Sequence, residues 1–367
     1  MARIFFLVFS LLSLFAISQN RKYSNEFLNI GVGARALGMG NANVASVEGV
    51  QSGYWNPAGL LKQKNDLELG LMHAEYFAGI AKYDYLGASK RIDSNSVAGI
   101  SIIRFGVDNI PNTLDLVDAN GNIDYNRVTK FNTVDFAALL SYARKIPQLK
   151  GLEIGGNVKI IRRKIGEFGG SWGFGLDAGA KYNYKGWKLA AMARDVTGTF
   201  NAWSFNLTQK QIATLAQTGN KIPSSSLEIT VPQVILGAAK SYSFWKNKMS
   251  VLGELDLINT FDGQRNTVIN SKHWNLEPAF GVELGYKNFI FLRGGIGNIQ
   301  KQLNDRATLY VTTAQPNFGV GVKYKIFTLD YALTDIGDRS TALYSNIFSL
   351  KIELNPKVVK WKNLFYS

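Results

Sequence analysis

From about residue 67 onward the chain keeps a two-residue rhythm in which one parity is apolar and the other is small or charged. In "WGFGLDAGAKYNY", Trp172, Phe174, Leu176, Ala178, Ala180, Tyr182 and Tyr184 alternate with Gly173, Gly175, Asp177, Gly179, Lys181 and Asn183. Phe318, Val320, Val322, Tyr324 and Ile326 alternate in the same way with Asn317, Gly319, Gly321, Lys323 and Lys325. Phe280, Val282, Leu284 and Tyr286 repeat it, as do Phe348, Leu350, Ile352 and Leu354 near the end. Period two puts successive side chains on opposite faces of a strand. Runs of about ten residues exceed the usual strand and match one that crosses a bilayer at a tilt. Aromatic residues recur at the ends of the runs (Trp172, Tyr184, Trp187, Phe289, Tyr324, Tyr331 and Tyr344), where an interfacial girdle needs them.

The rhythm gives about fourteen strands, near residues 67–73, 83–91, 96–105, 134–146, 152–165, 172–185, 187–195, 233–243, 248–258, 276–287, 289–296, 316–325, 326–335 and 344–354. Connections after the even strands are short, such as "IDSN", "PQLKG", "KG", "WKNK" and "KN". Those after odd strands include 106–133, 196–232, 259–275 and 297–315. Alternating short and long connections over an even number of strands is the asymmetry of an outer-membrane barrel, with periplasmic turns and extracellular loops. Closure also removes the edges that so many strands would otherwise expose. The expectation is a 14-stranded antiparallel transmembrane β-barrel over residues 67–354. Its inner parity is charged: Glu254 and Asp256 share a face, as do Asp177 and Lys181, which suits a hydrated interior.

The first 18 residues, "MARIFFLVFSLLSLFAIS", read as a signal peptide, with Arg3 before an apolar core and a small-x-small end at Ala16-Ile17-Ser18. The apolar run is shorter than the roughly 20 residues of a membrane helix. Export to the cell outer membrane follows.

Composition narrows the chemistry. Gly 36, Phe 22 and Tyr 16 against only 8 Pro suit many regular strands. Without cysteine there are no disulfides, thiolate metal sites or lipidated cysteine. The two histidines, His73 and His273, lie far apart and outside any metal-binding pattern. No G-x-S-x-G, paired acid and base, or metal cluster emerges, so the chain is read as a non-enzyme without cofactor. Net charge is +14, but no run of five basic residues appears, and nucleic acid is not an expected partner. Within the loops, Asn120-Gly121 in "VDANGNID" reads as a type I′ hairpin and not a calcium loop. "TQKQIATLAQTG" (208–219) carries a Thr208/Gln211 capping box and reads as a short external helix.

Ahead of the strands stands "GVGARALGMG" (31–40), in which Gly31, Gly33 and Ala36 satisfy the dinucleotide fingerprint G-x-G-x-x-A. The context fails it: no strand precedes, no crossover helix follows, and Glu48 and Glu68 belong to no βαβ unit. A nucleotide is therefore not expected. "GARALGMGNANVAS" together with "GYWNPAGL" (33–46 and 53–60) instead resembles the N-terminal hatch of the FadL-like outer-membrane barrels, more closely that of their PorV/PorQ-like relatives in type IX secretion. The resemblance implies that residues 19–66 form a hatch, or plug, inside the barrel. Gly33, Gly38, Gly40, Asn56, Pro57 and Gly59 would be its structural or gating motif. It also implies a non-enzymatic component of type IX protein secretion, with the translocon, secreted cargo proteins and outer-membrane lipid or lipopolysaccharide as partners. The alternative is a FadL-like channel for hydrophobic small molecules such as fatty acids or hydrocarbons. Such a channel needs an apolar lumen or a lateral opening near the hatch, against which the charged inner parity counts. Residues 355–367, "NPKVVKWKNLFYS", continue past the last strand as a tail.

Overall fold

The computed structural model describes residues 24–117, 121–303, 309–334 and 344–355. The expected signal peptide, Asn120 of the expected hairpin turn and nearly all of the C-terminal tail lie outside them. Val117 and Ile123, on either side of that turn, form an isolated antiparallel bridge.

Two short helices, α1 (Ala34–Gly38) and α2 (Ser52–Trp55), and a 3-10 turn, Pro57–Lys62, precede sixteen strands. The strands are β1 (Leu67–Tyr76), β2 (Ala81–Arg91), β3 (Ser96–Asn112), β4 (Thr129–Lys145), β5 (Leu152–Ile165), β6 (Gly169–Tyr184), β7 (Trp187–Arg194) and β8 (Thr199–Phe205). After helix α3 (Gln209–Gln217) come β9 (Ser226–Thr230), β10 (Gln233–Phe244), β11 (Met249–Thr260), β12 (Asn275–Tyr286), β13 (Ile290–Leu303), β14 (Tyr310–Tyr324), β15 (Phe327–Thr334) and β16 (Ser345–Leu354). Each strand from β1 to β7 pairs antiparallel with the next, β7 pairs β10, and β10 to β16 continue the meander. β1 then closes on β16, in register from Leu67 opposite Leu354 to Glu75 opposite Asn346. The wall is a closed antiparallel barrel of fourteen strands, as the alternation predicts.

The two extra strands correct the expected loop 196–232. β8 pairs with the same strand as β7, lying against Gly169–Phe174 of β6, while β9 pairs with β8. β7 and β8 are thus two parts of one wall strand, as are β10 and β9. The breaks face one another: residues 195–198, with Asp195 and Gly198 at positive φ, lie opposite Val231 and Pro232. A left-handed residue and a proline without an N–H interrupt the alternation, so the sequence pattern stops early although the ladder resumes. The loop proper carries α3, whose capping box at Thr208 and Gln211 is present.

The expected loops 106–133 and 297–315 also shorten, because β3 and β4 pair out to Asn112 and Thr129, and β13 and β14 to Leu303 and Tyr310. Each pair passes a bulge holding an asparagine at positive φ, Asn109 and Asn298. The bulge adds the residues that break the period, and polar side chains beyond it need no apolar face.

The parity assigned from sequence holds through the wall. On β6, Trp172, Phe174 and Tyr182 are exposed, whereas Asp177 and Lys181 are buried. Leu86, Phe280, Phe318 and Phe348 are each at least half exposed on other strands. An apolar exterior of this extent is stable against lipid and not against water. Much of the inner parity packs against the chain's own N-terminal segment.

Candidate functional site

The N-terminal segment touches the wall nearly all the way round. α1 packs against β13, β14, β15 and β16, and the Pro57–Lys62 turn against β3, β4, β5 and β6. Between them, Glu254 and Asp256 of β11 receive four consecutive backbone N–H groups. Asn43 and Val44 donate to Asp256 Oδ2 at 2.8 and 2.9 Å, and Ala45 and Ser46 to Glu254 Oε1 at 2.7 and 3.1 Å. Both carboxylates are fully buried. Irregular backbone enclosed by a barrel needs partners for its N–H groups, and carboxyl oxygens on the inner parity supply them.

Other inward charges do similar work. Lys181 Nζ donates to Val47 O at 2.6 Å, and Glu68 accepts from Val50 N at 3.0 Å. Arg35 of α1 donates through Nε to Glu283 of β12 at 2.8 Å. Glu283 also pairs with Arg293 of β13 at 2.7 Å, which reaches Asp330 of β15 at 2.8 Å. This chain of charges joins α1 to three strands. At the break between β7 and β8, Lys159 of β5 bridges Asp177 at 2.9 Å and Asp195 at 2.6 Å.

The six residues singled out from sequence all fall in this segment, though not at one point. Gly38 lies on the backbone of β14, where an added Cβ would stand 2.9 Å from Gly319 Cα. Gly40, at φ +66°, lies against β13, its Cβ position 2.6 Å from Ile296 N. Main chain meets main chain at both places, and only glycine permits that approach. Gly33 donates its N–H to Met72 Sδ at 2.9 Å. Asn56 caps the Pro57–Lys62 turn by accepting from Ala58 N, and donates across to the carbonyls of Ala180 and Ala191 at 3.2 and 3.3 Å. Gly59 packs on Ser52 and accepts at its carbonyl from Gly49 N.

A cavity of about 480 Å³ lies between this segment and the long-loop end of the barrel. Ile30, Leu37, Trp55, Phe105, Ile235 and Ile258 form its apolar lining; Glu26, Arg194, Arg265 and Glu277 are its charged residues. Arg265 pairs with Glu26 at 2.8 Å and with Asp262. Arg194, at the end of β7, is 8 % exposed and stacks its guanidinium 4.6 Å above the Tyr54 ring. Its Nη1 reaches Leu28 O at 3.4 Å, while Nη2 has no acceptor among the described residues. Burial raises the Tyr54 phenol above its ordinary value, so it stays protonated and donates to the same carbonyl. On the outer face beside Gly38, Leu284, Leu292, Phe318, Val320 and Leu333 line an apolar groove of about 470 Å³ over Gly294 and Gly319. Sequence reasoning passed over Arg194 and Arg35. For Arg194 the available signal was an arginine on the inward parity of a membrane strand, a residue that is costly unless it has work to do.

No family model matches the sequence, and no curated protein matches it. Solved structures do. The monoaromatic hydrocarbon channel CymD superposes with a TM-score of 0.55 at 12% identity, over 89% of this chain and 98% of that one. The Ralstonia pickettii toluene transporter TbuX gives 0.52 at 14% identity, over 89% and 99%. The Pseudomonas putida toluene transporter TodX gives 0.52 at 13%, over 88% and 96%. The neighbours are channels and transporters, not enzymes, and what they share with this chain at such identity is architecture: it is a closed fourteen-stranded barrel of the FadL-like outer-membrane fold.

Proposed function

We propose that the chain is a passive outer-membrane channel for small hydrophobic molecules, with residues 19–66 as its hatch and the cavity above them as the binding station. The observation that carries this reading is the cavity itself, of a size suited to a small ligand and apolar over most of its wall. The inward charges, which count against a greasy conduit when read from sequence, are engaged with the hatch backbone or with one another. Arg194 reaches the hatch carbonyl of Leu28 and stacks on Tyr54 and Trp55, lining the cavity beside Trp55. The outer groove supplies apolar surface on the lipid side of the wall where Gly38 approaches Gly319 from within.

Type IX secretion rests on the hatch-like motifs alone, and the cavity and the fold neighbours favour the uptake channel over it. Calorimetry of the purified barrel with monoaromatic and aliphatic ligands tests the reading. Binding that Ile258→Trp abolishes supports it. No binding of any apolar ligand to the folded barrel overturns it.

A further inference from the structure

The short-turn end carries a belt of lysines set on aromatic rings. Lys185 Nζ lies 5.1 Å from the Tyr184 ring centre, and Lys240 Nζ 4.9 Å from that of Trp187. Lys248 stands 5.8 Å over Trp245, Lys287 5.3 Å over Tyr286, and Lys325 5.3 Å over Tyr324. These lysines are exposed, and among the described turn residues Asp93 is the only carboxylate.

Turn geometry does not account for them. Lys185, Lys287 and Lys325 hold φ of 46°, 52° and 52°, a left-handed conformation that glycine or asparagine adopts at less cost. Lysine adds nothing to such a turn except a cation on a long stem. The stem lies along an outward-facing ring and the ammonium stands beyond it, as in a side chain reaching from hydrocarbon to headgroups. The pairs occur at four successive short turns, β6–β7, β10–β11, β12–β13 and β14–β15, and so follow the curve of the wall at one level. The ammoniums stand beside rings on the outward parity, outside the mouth of the barrel, where the surrounding leaflet meets them before a partner seated over the mouth does.

We propose that this rim binds the phosphate headgroups of anionic phospholipids in the periplasmic leaflet. The proposal rests on the reading of the chain as a membrane barrel. Lysines near an anionic surface each multiply affinity by roughly fivefold, so the belt as a whole selects strongly.

The test reconstitutes the chain in vesicles of phosphatidylcholine with and without a minority of phosphatidylglycerol, and counts the lipids retained on the released barrel by native mass spectrometry. Wild type is expected to retain phosphatidylglycerol well above its share of the bilayer. The variant Lys185→Gln/Lys248→Gln/Lys287→Gln/Lys325→Gln is expected to lose that enrichment. A variant with the same number of changes at the long-loop end, Lys130→Gln/Lys164→Gln/Lys221→Gln/Lys272→Gln, is expected to keep it. Insertion is read separately, by heat-modifiable migration from vesicles of phosphatidylcholine alone. A chain that fails to insert there overturns the membrane reading, and the proposal with it. A chain that inserts but shows no preference, or a rim variant that keeps the preference, overturns the lipid proposal alone and leaves the belt to an acidic protein.

Discussion

Two carboxylates hold four consecutive N–H groups where Glu254 and Asp256 meet residues 43–46, and both are buried. Asp256→Leu keeps the size and removes the acceptor. Leaving a buried donor unpaired costs about 1–3 kcal/mol, so amide exchange at Asn43 and Val44 is expected to quicken by roughly five- to a hundredfold. Unchanged protection there would mean that packing, and not the carboxylate, seats the segment. Gly38 and Gly40 make a steric counterpart. Valine at either would drive a side chain into the backbone of β14 or β13, and the protease-resistant fraction of assembled barrel is expected to fall without any effect on nucleotide binding. Wild-type protection in both variants would contradict the close approach. The glycines were legible in sequence because their spacing is itself a pattern. The role of Glu254 and Asp256 was not: alternation reports which face a side chain takes, and it is silent on whether water or another segment waits there.

Most wall strands were legible for the same reason, since an apolar parity facing lipid is a strict requirement. Legibility failed at the break shared by β7, β8, β9 and β10, where positive φ at Asp195 and Gly198 and the proline at 232 interrupt the period but not the ladder. Lys159 pins that break through Asp177 and Asp195, with its side chain only 4% exposed. Lys159→Met leaves the buried Asp177 and the half-buried Asp195 without their cation, at a cost of about 3–5 kcal/mol. The midpoint of heat-induced unfolding on gels is expected to drop markedly; a drop no larger than that of a surface substitution would show the cluster to be incidental. Helix α3 stands in the opposite case. It buries no residue, and β8 pairs β9 without it. Replacing residues 206–225 with a short glycine-serine linker is expected to leave assembly and heat-modifiable migration unchanged, and loss of the folded barrel would make the helix structural.

At the scale of the molecule, an apolar-faced wall encloses the N-terminal segment, buried polar groups fasten that segment to the strands, and a cavity stands between it and the long-loop end. The proposed channel takes the segment as its hatch and the cavity as the room left for a ligand. Transport does not follow from binding alone, because a sealed barrel could hold a ligand and never pass it on. The direct test is uptake of a radiolabelled monoaromatic hydrocarbon and a long-chain carboxylate into cells that lack other outer-membrane hydrocarbon channels, comparing wild type with Ile258→Trp at matched barrel abundance. A channel through this cavity gives uptake of at least one of the two above the empty-vector rate, lost in Ile258→Trp. Uptake equal to the empty vector, or unchanged when the cavity is filled, would contradict it.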